Sequence, residues 1–532
     1  MCGIFTLLNS NETNYEQNKK YFRKGASTGP NNSGFVTSYP NVTFGFHSLA
    51  LKGLNTDSNQ PIVVNEVVLL CNGAIYNYQE LYQSMPSVTP KTESDCEVII
   101  HLYLKYGFQQ TLNMLDGVFA FVLYDTRENR DRIYVARDAF GIRPLYYLKN
   151  LDAGYRNDTL IGFASELKCL DGFVDLNPHQ YAVEQFKPGT YSIFETMKTN
   201  WSKWKPVVPT QTFFVPTFSY NTIVQDEGEY IVKLFITTSN ALSDAVKRQC
   251  KNIQCPIACI LSDSLDSNLI AALVNEHCNE VLETYSIGLF GSDEVKYAQI
   301  VANYLGTKHT EIIVTEQEMF DAIPNVIYAI ESYDTKTVRT SIANYLVGKY
   351  ISKNSRAKVV FNGDGSDELC GGYLYMNQCR NDIEFDRETR RLIQDIYMFD
   401  VLRSDKCMSS NGLDSRTPFL DRTFVNQYLS IPPRFRNHNN QNAIEKFLLR
   451  SSFTFPNFEN SAGNPILPNE ILWRRKETFS DSILSKLQEK ICQKFSNYDA
   501  PEQLYYKQLF TKFFPNSSSI VPYYWIPNSN NT

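Results

Sequence analysis

A chain of 532 residues, 43% hydrophobic and 13% aromatic, is longer than the ~100–200 residues of a usual domain and has apolar surface for more than one core. Its 51 basic and 57 acidic residues leave a net charge of −6, which excludes a general electrostatic pull towards nucleic acid or anionic membranes. The start Met1-Cys2-Gly3-Ile4-Phe5 has no basic region, no run of ~18 apolar residues occurs, and the twelve cysteines form no C-x-x-C pair, so a reduced, cytoplasmic protein is expected.

Residues 1–196 read as short β runs, among them Val67–Cys71, Val118–Tyr124, Arg132–Ala136 and Thr159–Ala164, punctuated by Gly, Asn, Asp and Pro. One helix, Asp95–Tyr106, places Val98, Ile99, Leu102 and Tyr103 at helical spacing. A layered α+β domain of mostly antiparallel sheets follows. Residues 197–225, with Pro206, Pro209 and Pro216, read as a linker. Beyond it, from 226 to 532, helices and strands alternate: helix Glu227–Cys250, strand Ile257–Leu261, helix Ser267–Glu276, strand Glu283–Gly288, helix Asp293–Leu305 and strand His309–Val314. That rhythm predicts an α/β domain with a parallel sheet, followed by a largely helical part from Ile383. Ligands of such sheets sit at the carboxyl ends of the strands, so chemistry is expected in the loops after Leu261, Gly288 and Phe361.

Cys2 carries the first chemistry. Removal of Met1 would leave its own α-amine, with a pKa of ~7.7–8.0, to activate its thiol as a nucleophile. Asn72-Gly73 can aim an amide and a backbone N–H at one developing oxyanion, although Asn-Gly is more often a hairpin turn. With Gly29-Pro30, Gln60-Pro61, Ser94-Asp95-Cys96-Glu97, Leu115-Asp116-Gly117 and Ala136-Arg137-Asp138-x-x-Gly141-Ile142-Arg143-Pro144, the segment resembles the class II glutamine amidotransferase domain of glutamine-hydrolysing asparagine synthetases, an N-terminal-nucleophile fold. The resemblance implies that Cys2 attacks the glutamine amide, that Asn72 and Gly73 hold the oxyanion, and that Ser48, Leu49, Ala50, Leu51, Lys52, Ala74 and Asp95 line the glutamine site. Two anchors depart from the family, which has arginine at Ser48 and glutamate at Ala74.

The second constellation, Ser262-Asp263-Ser264-Leu265-Asp266-Ser267, stands at a strand-to-helix junction where N–H groups can cradle pyrophosphate; helix capping alone is the bland explanation. It lies where the same family carries Ser-Gly-Gly-x-Asp-Ser. Glu331-Ser332-Tyr333-Asp334, Thr337-Val338-Arg339, Asn362-Gly363-Asp364-Gly365-Ser366-Asp367-Glu368, Arg416-Thr417-Pro418 and Trp473-Arg474-Arg475-Lys476 follow in family order. By resemblance, ATP meets Leu261, Ser262, Asp266, Ser267, Ile287, Asn362 and Gly363, and Asp266 with Asp367 hold Mg2+. Lys476 and Asp364 serve adenylation of aspartate, while Thr337 and Arg339 bind aspartate or phosphate. Asp364 stands where many members have glutamate.

Asp263 and Ser264 replace both loop glycines, with an expected backbone cost of ~1–2 kcal/mol and a charge repulsion of about 3 kcal/mol at ~5 Å unless a neighbouring cation neutralises Asp263. Three readings stand: a glutamine-using synthetase, an ammonia-dependent one with impaired glutaminase, and a degraded homologue with a binding or regulatory role. Small-molecule partners, no nucleic acid, no membrane and a homodimer complete the expectations.

Overall fold

The computed structural model describes residues 2–10, 14–49, 51, 58–127, 130–151, 159–197, 203–216, 227–251, 253–278, 280–441, 443–476 and 500–525. The first half stacks two six-stranded sheets. One contains β1 (Cys2–Leu8), β2 (Asn32–Tyr39), β3 (Val42–Ser48), β8 (Tyr146–Asn150), β9 (Ile161–Ala164) and β10 (Tyr181–Gln185), in the order β10-β8-β9-β1-β3-β2. The other contains β4 (Ile62–Val64), β5 (Val67–Ile75), β6 (Gly117–Asp125), β7 (Arg130–Arg137), β11 (Thr190–Met197) and β12 (Lys205–Thr212), in the order β12-β11-β7-β6-β5-β4. All pairs in both sheets are antiparallel.

The period of two along β5 explains the layering. Val68 and Leu70 pack with Ile4, Phe44 and Phe46 of the other sheet. Val67, Leu69 and Cys71 face the helical side, with Ile99, Leu102 and Leu112. Strand β12 lies within the stretch read from sequence as a linker. It pairs with β11 at the sheet edge, with register shifts between Tyr191 and Phe194. Pro206 and Pro209 break the pattern that would have revealed it, and an edge strand is where proline is tolerated.

The second half is built on a parallel five-stranded sheet of β13 (Ile257–Ile260), β14 (Glu283–Gly288), β15 (Lys308–Ile313), β16 (Val359–Phe361) and β17 (Asp414–Arg416), in the order β15-β14-β13-β16-β17. The chain runs outward from β13 to β15 and returns on the other side of β13, so the crevice between β13 and β16 is the topological switch point. No helix among the described residues is long and apolar enough to cross a membrane.

The halves meet through the Ala136-to-Pro144 motif. Asp138 accepts N–H groups of Phe119, Phe140, Ile142 and Arg143 at 3.0–3.2 Å, while the buried Arg137 guanidinium donates to the carbonyls of Arg143, Phe186 and Gly141 at 2.7–2.8 Å. The turn so fixed projects Arg143, itself 0% exposed, across the interface to Asp405 at 2.7 Å and Asp414 at 2.5 Å. Removing one member of a buried ionic group strands the others, at about 3–5 kcal/mol. Arg143→Met is therefore expected to lower the thermal unfolding midpoint by several degrees, measured by calorimetry, and an unchanged midpoint would contradict the role of this joint.

Candidate active sites

Cys2 opens β1, pairing through its backbone with Ser48 at the end of β3; it is described by its backbone alone. The chain is tight here: a Cβ on Gly29 would lie 2.1 Å from the His47 carbonyl carbon. Asn72 and Gly73 lie inside β5, opposite Ala120 and Phe119, so this Asn-Gly is no hairpin turn. A Cβ on Gly73 would come within 2.5 Å of the Val118 oxygen, which explains glycine within a buried strand. The strand entering Asn72 is held by the Gln60 amide, which donates to the Cys71 carbonyl at 2.7 Å and accepts the Cys71 N–H at 2.6 Å. Asn72, 2% exposed, places Nδ2 3.5 Å from Ser165 Oγ.

The residues expected to hold glutamine lie on three segments: the end of β3 with the residues after it, the end of β5, and the turn at Asp95. Ser48 uses its carbonyl to accept the Asn31 N–H at 3.0 Å. Leu49 is buried, and Leu51 packs on the same apolar cluster as the buried Ala74, Tyr76 and Val118. Asp95 accepts the Ile75 N–H at 2.6 Å through Oδ2, so one of its carboxylate oxygens holds the end of β5. Ala50 and Lys52 lie outside the described residues.

The second site is a cavity of about 590 Å³ at the carboxyl ends of β13, β14 and β16. Leu261, Ser262, Asp266, Ser267, Ile287, Asn362, Gly363, Asp364, Asp367, Arg339 and Lys476 all line it. The loop leaving β13 is internally bonded: Ser262 Oγ meets Ser267 Oγ at 2.7 Å and accepts the Ser264 N–H at 3.0 Å, while Asn268 Nδ2 donates to the Ser262 carbonyl at 2.9 Å. A Cβ on Gly363 would lie 2.5 Å from the Ser267 nitrogen, so the loop after β16 can close on this one only with glycine there.

The expected backbone strain is absent. Ser264 is extended, with φ −90° and ψ 149°, at the N-cap position of the helix Leu265–Asn275 without a side-chain cap hydrogen bond, and neither it nor Asp263 is among the non-glycine residues with positive φ. The expected repulsion is offset as well. Arg474 donates through one guanidinium nitrogen to the Asp263 carboxylate at 3.0 Å and carbonyl at 3.1 Å, and lies 4.3 Å from the Tyr297 ring centroid. Burial pushes the Asp263 carboxyl up, and Arg474 acts against that shift.

Asp266 and Asp367 share one lysine. The Lys446 Nζ sits 2.5 Å from an oxygen of each, and Lys476 pairs with the other Asp367 oxygen. Burial alone would raise the Asp367 carboxyl; the two ammonium groups hold it well below the usual carboxylate range. A Cβ on Gly372 would strike Lys446 Cε at 2.0 Å. No group of three or more His, Cys, Asp or Glu that could hold a metal occurs among the described residues. Two carboxylates converging on one cation are nevertheless a hard-oxygen donor pair that fits Mg2+ completed by phosphate oxygens.

Asp364 accepts Arg403 at 2.8 Å, and burial raises its carboxyl. Arg403 also binds Asp400 at 2.7 Å, and Tyr373 donates to Glu368 or Asp400. Lys336 lies 3.7 Å from the Tyr373 ring centroid. Arg339 is engaged by Glu502 of the helix Pro501–Phe513, with Nε at 2.7 Å. Thr337 does not line the cavity: buried, it donates its N–H and hydroxyl to Asp334 at 2.9 and 2.7 Å, in the first turn of Thr335–Asn354. Sequence reasoning missed Lys446, Lys336, Tyr373 and Arg403. Lys446 takes φ 61°, a conformation no sequence pattern announced.

Family models match both halves of the chain. A glutamine amidotransferase domain matches residues 1–210, and asparagine synthase matches residues 237–384 and 377–527. The chain is 35% identical over 561 residues to asparagine synthetase (glutamine-hydrolyzing) of Gallus gallus, covering 99% of this chain and 96% of that protein. The Homo sapiens protein of the same name is 35% identical over 574 residues, at 99% and 96% coverage, and that of Bos taurus 34% over 567 residues, at 100% and 97%. With both functional sites on matched segments, the chain belongs to the glutamine-hydrolysing asparagine synthetase family of ligases.

Proposed function

We propose that the chain makes L-asparagine from L-aspartate, ATP and ammonia, with the ammonia drawn from L-glutamine at the first site. The observation that carries this reading is the β13/β16 cavity, where Asp266 and Asp367 face Lys446 and Lys476 beside the strand-to-helix loop after β13. A carboxylate does not accept an amine. The aspartate β-carboxylate attacks the α-phosphorus of ATP, pyrophosphate leaves, and ammonia then attacks the β-aspartyl-AMP carbonyl, expelling AMP. Mg2+ on Asp266 and Asp367 would neutralise phosphate charge. Lys476, paired with Asp367, would add positive charge beside the phosphates, and Asp364, with its carboxyl raised by burial, would take a proton from the attacking ammonia. At the first site the Cys2 thiol would attack the glutamine amide carbon, with its proton passing to the α-amine. Asn72 and Gly73 would receive the oxyanion, the protonated nitrogen would leave as ammonia to give a glutamyl thioester, and water would hydrolyse that thioester to glutamate and the free thiol.

The packing of Ala74 favours ammonia over glutamine as nitrogen donor. Ala74 sits in an apolar cluster, and Asp95 gives one carboxylate oxygen to the Ile75 N–H. A lost charged anchor costs ~2–5 kcal/mol of binding.

Aspartate-dependent release of pyrophosphate from ATP is the expected activity, with ammonium saturating readily and glutamine only at concentrations tens-fold above those usual for a charged anchor. Asp367→Ala should abolish it with both donors. Absence of pyrophosphate release with either donor would refute the synthetase reading, and a micromolar Michaelis constant for glutamine would refute the donor preference. The Asp263–Arg474 pair makes a separate prediction. Arg474→Met should raise the KM for ATP about tenfold or more, because it strands a carboxylate at the phosphate loop, and adding Asp263→Gly should recover most of the loss. Failure of the double variant to recover would show that Arg474 does not act by neutralising Asp263.

A further inference from the structure

Four charged side chains meet between the halves with at most 4% exposure: Glu166 and Lys168 from the first, Glu331 and Lys406 from the second. Lys406 has three acceptors for its three N–H bonds, Glu331 at 2.7 Å, Glu166 at 2.9 Å and the Ser165 carbonyl at 2.9 Å. Lys168 pairs with Glu166 and lies 3.2 Å from Glu331. Glu331 also accepts the backbone N–H groups of Leu167 and Lys168 at 2.8 and 2.9 Å. Burial alone would raise the Glu331 carboxyl, but Lys168 and Lys406 bring it down to about 2. Buried ion groups of this kind add little stability over apolar packing of the same shape, which leaves placement as the property they supply.

Ser165 is what they place. Its carbonyl takes Lys406, its N–H donates to the Ile4 carbonyl at 3.0 Å, and its hydroxyl oxygen accepts the Ile4 N–H at 3.1 Å and faces Asn72 Nδ2 at 3.5 Å. Ile4 is two residues from Cys2 on the same strand. On the other side, Glu331 ends the helix Glu316–Ile330, and three residues later Asp334 caps the helix that carries Lys336 and Arg339 into the ATP cavity.

We infer that Lys406, although it belongs to the synthetase half, is a positioning residue for glutamine hydrolysis: through the Ser165 backbone it sets the Ser165 hydroxyl, and with it the Asn72 amide relative to the strand of Cys2. This rests on the proposed role of Asn72 at the oxyanion. A misplaced oxyanion donor leaves substrate binding in place and slows the chemistry.

The test uses the full chain and two variants, Lys406→Met and Ser165→Ala, the second of which keeps every charge in place. Glutamine hydrolysis is followed as glutamate formed, and the synthetase reaction as pyrophosphate released with ammonium. The expected result is a kcat for glutamine hydrolysis lowered about ten- to a hundredfold in both variants; in Ser165→Ala, which leaves the buried charges paired, the KM for glutamine and the ammonium-dependent rate stay within about threefold of the parent. An unchanged kcat in Ser165→Ala would overturn the inference, as would parallel loss of both activities in that variant, which would mark a general structural role. A parent protein that hydrolyses no glutamine at all would instead overturn the Cys2 reading, and this inference with it.

Discussion

The two halves are joined by charges that neither could keep buried alone. Arg143 leaves the amidotransferase half to satisfy Asp405 and Asp414, and Lys406 returns from the synthetase half to satisfy Glu166 and the Ser165 carbonyl. Desolvating such groups is tolerable only while every partner is present, so the interface is an all-or-none fit. Much of the conspicuous sequence motif around Arg137, Asp138 and Arg143 serves this joint: Arg137 and Asp138 spend their hydrogen bonds on shaping the turn that carries Arg143.

The same logic governs the ATP cavity, which is lined by eight acidic and eight basic side chains. Asp266 and Asp367 hold Lys446, Asp263 holds Arg474, Asp364 holds Arg403, and Glu502, outside the lining, holds Arg339. The cavity is thus internally balanced before any substrate enters. An anionic nucleotide must take over cations already committed to carboxylates, and a divalent cation on Asp266 and Asp367 would free Lys446 and Lys476 for phosphate. In this setting an aspartate in the phosphate loop is one more internal partner to exchange.

The architecture was legible because its signals are local and periodic. Strand β14 and the helix Asp293–Leu305 run over the residues their patterns indicated, since a short strand with Thr, Tyr and Ile that ends at glycine and an acidic helix start are both written within a few residues. Strand β12 was hidden because proline masks an edge strand. At the sites, residue types could be matched to a family but their partners could not. Arg474 meets Asp263 across 211 positions and Arg339 meets Glu502 across 163, and no local pattern encodes such pairs. The cost assigned to Asp263 and Ser264 was an inference from residue type alone. Once a partner 211 positions away and an extended φ are known, it falls away.

The central claim is that one chain carries a nitrogen-releasing site and an adenylating site held in fixed register. Supplying glutamine labelled with 15N at its side-chain amide, together with excess unlabelled ammonium, and reading the label in the asparagine side chain by mass spectrometry tests it most directly. Label in asparagine well above its share of the total ammonia is the expected result. Label diluted to that share would show that the two sites communicate only through solvent, and no labelled asparagine at all would show that the first site supplies none of the nitrogen.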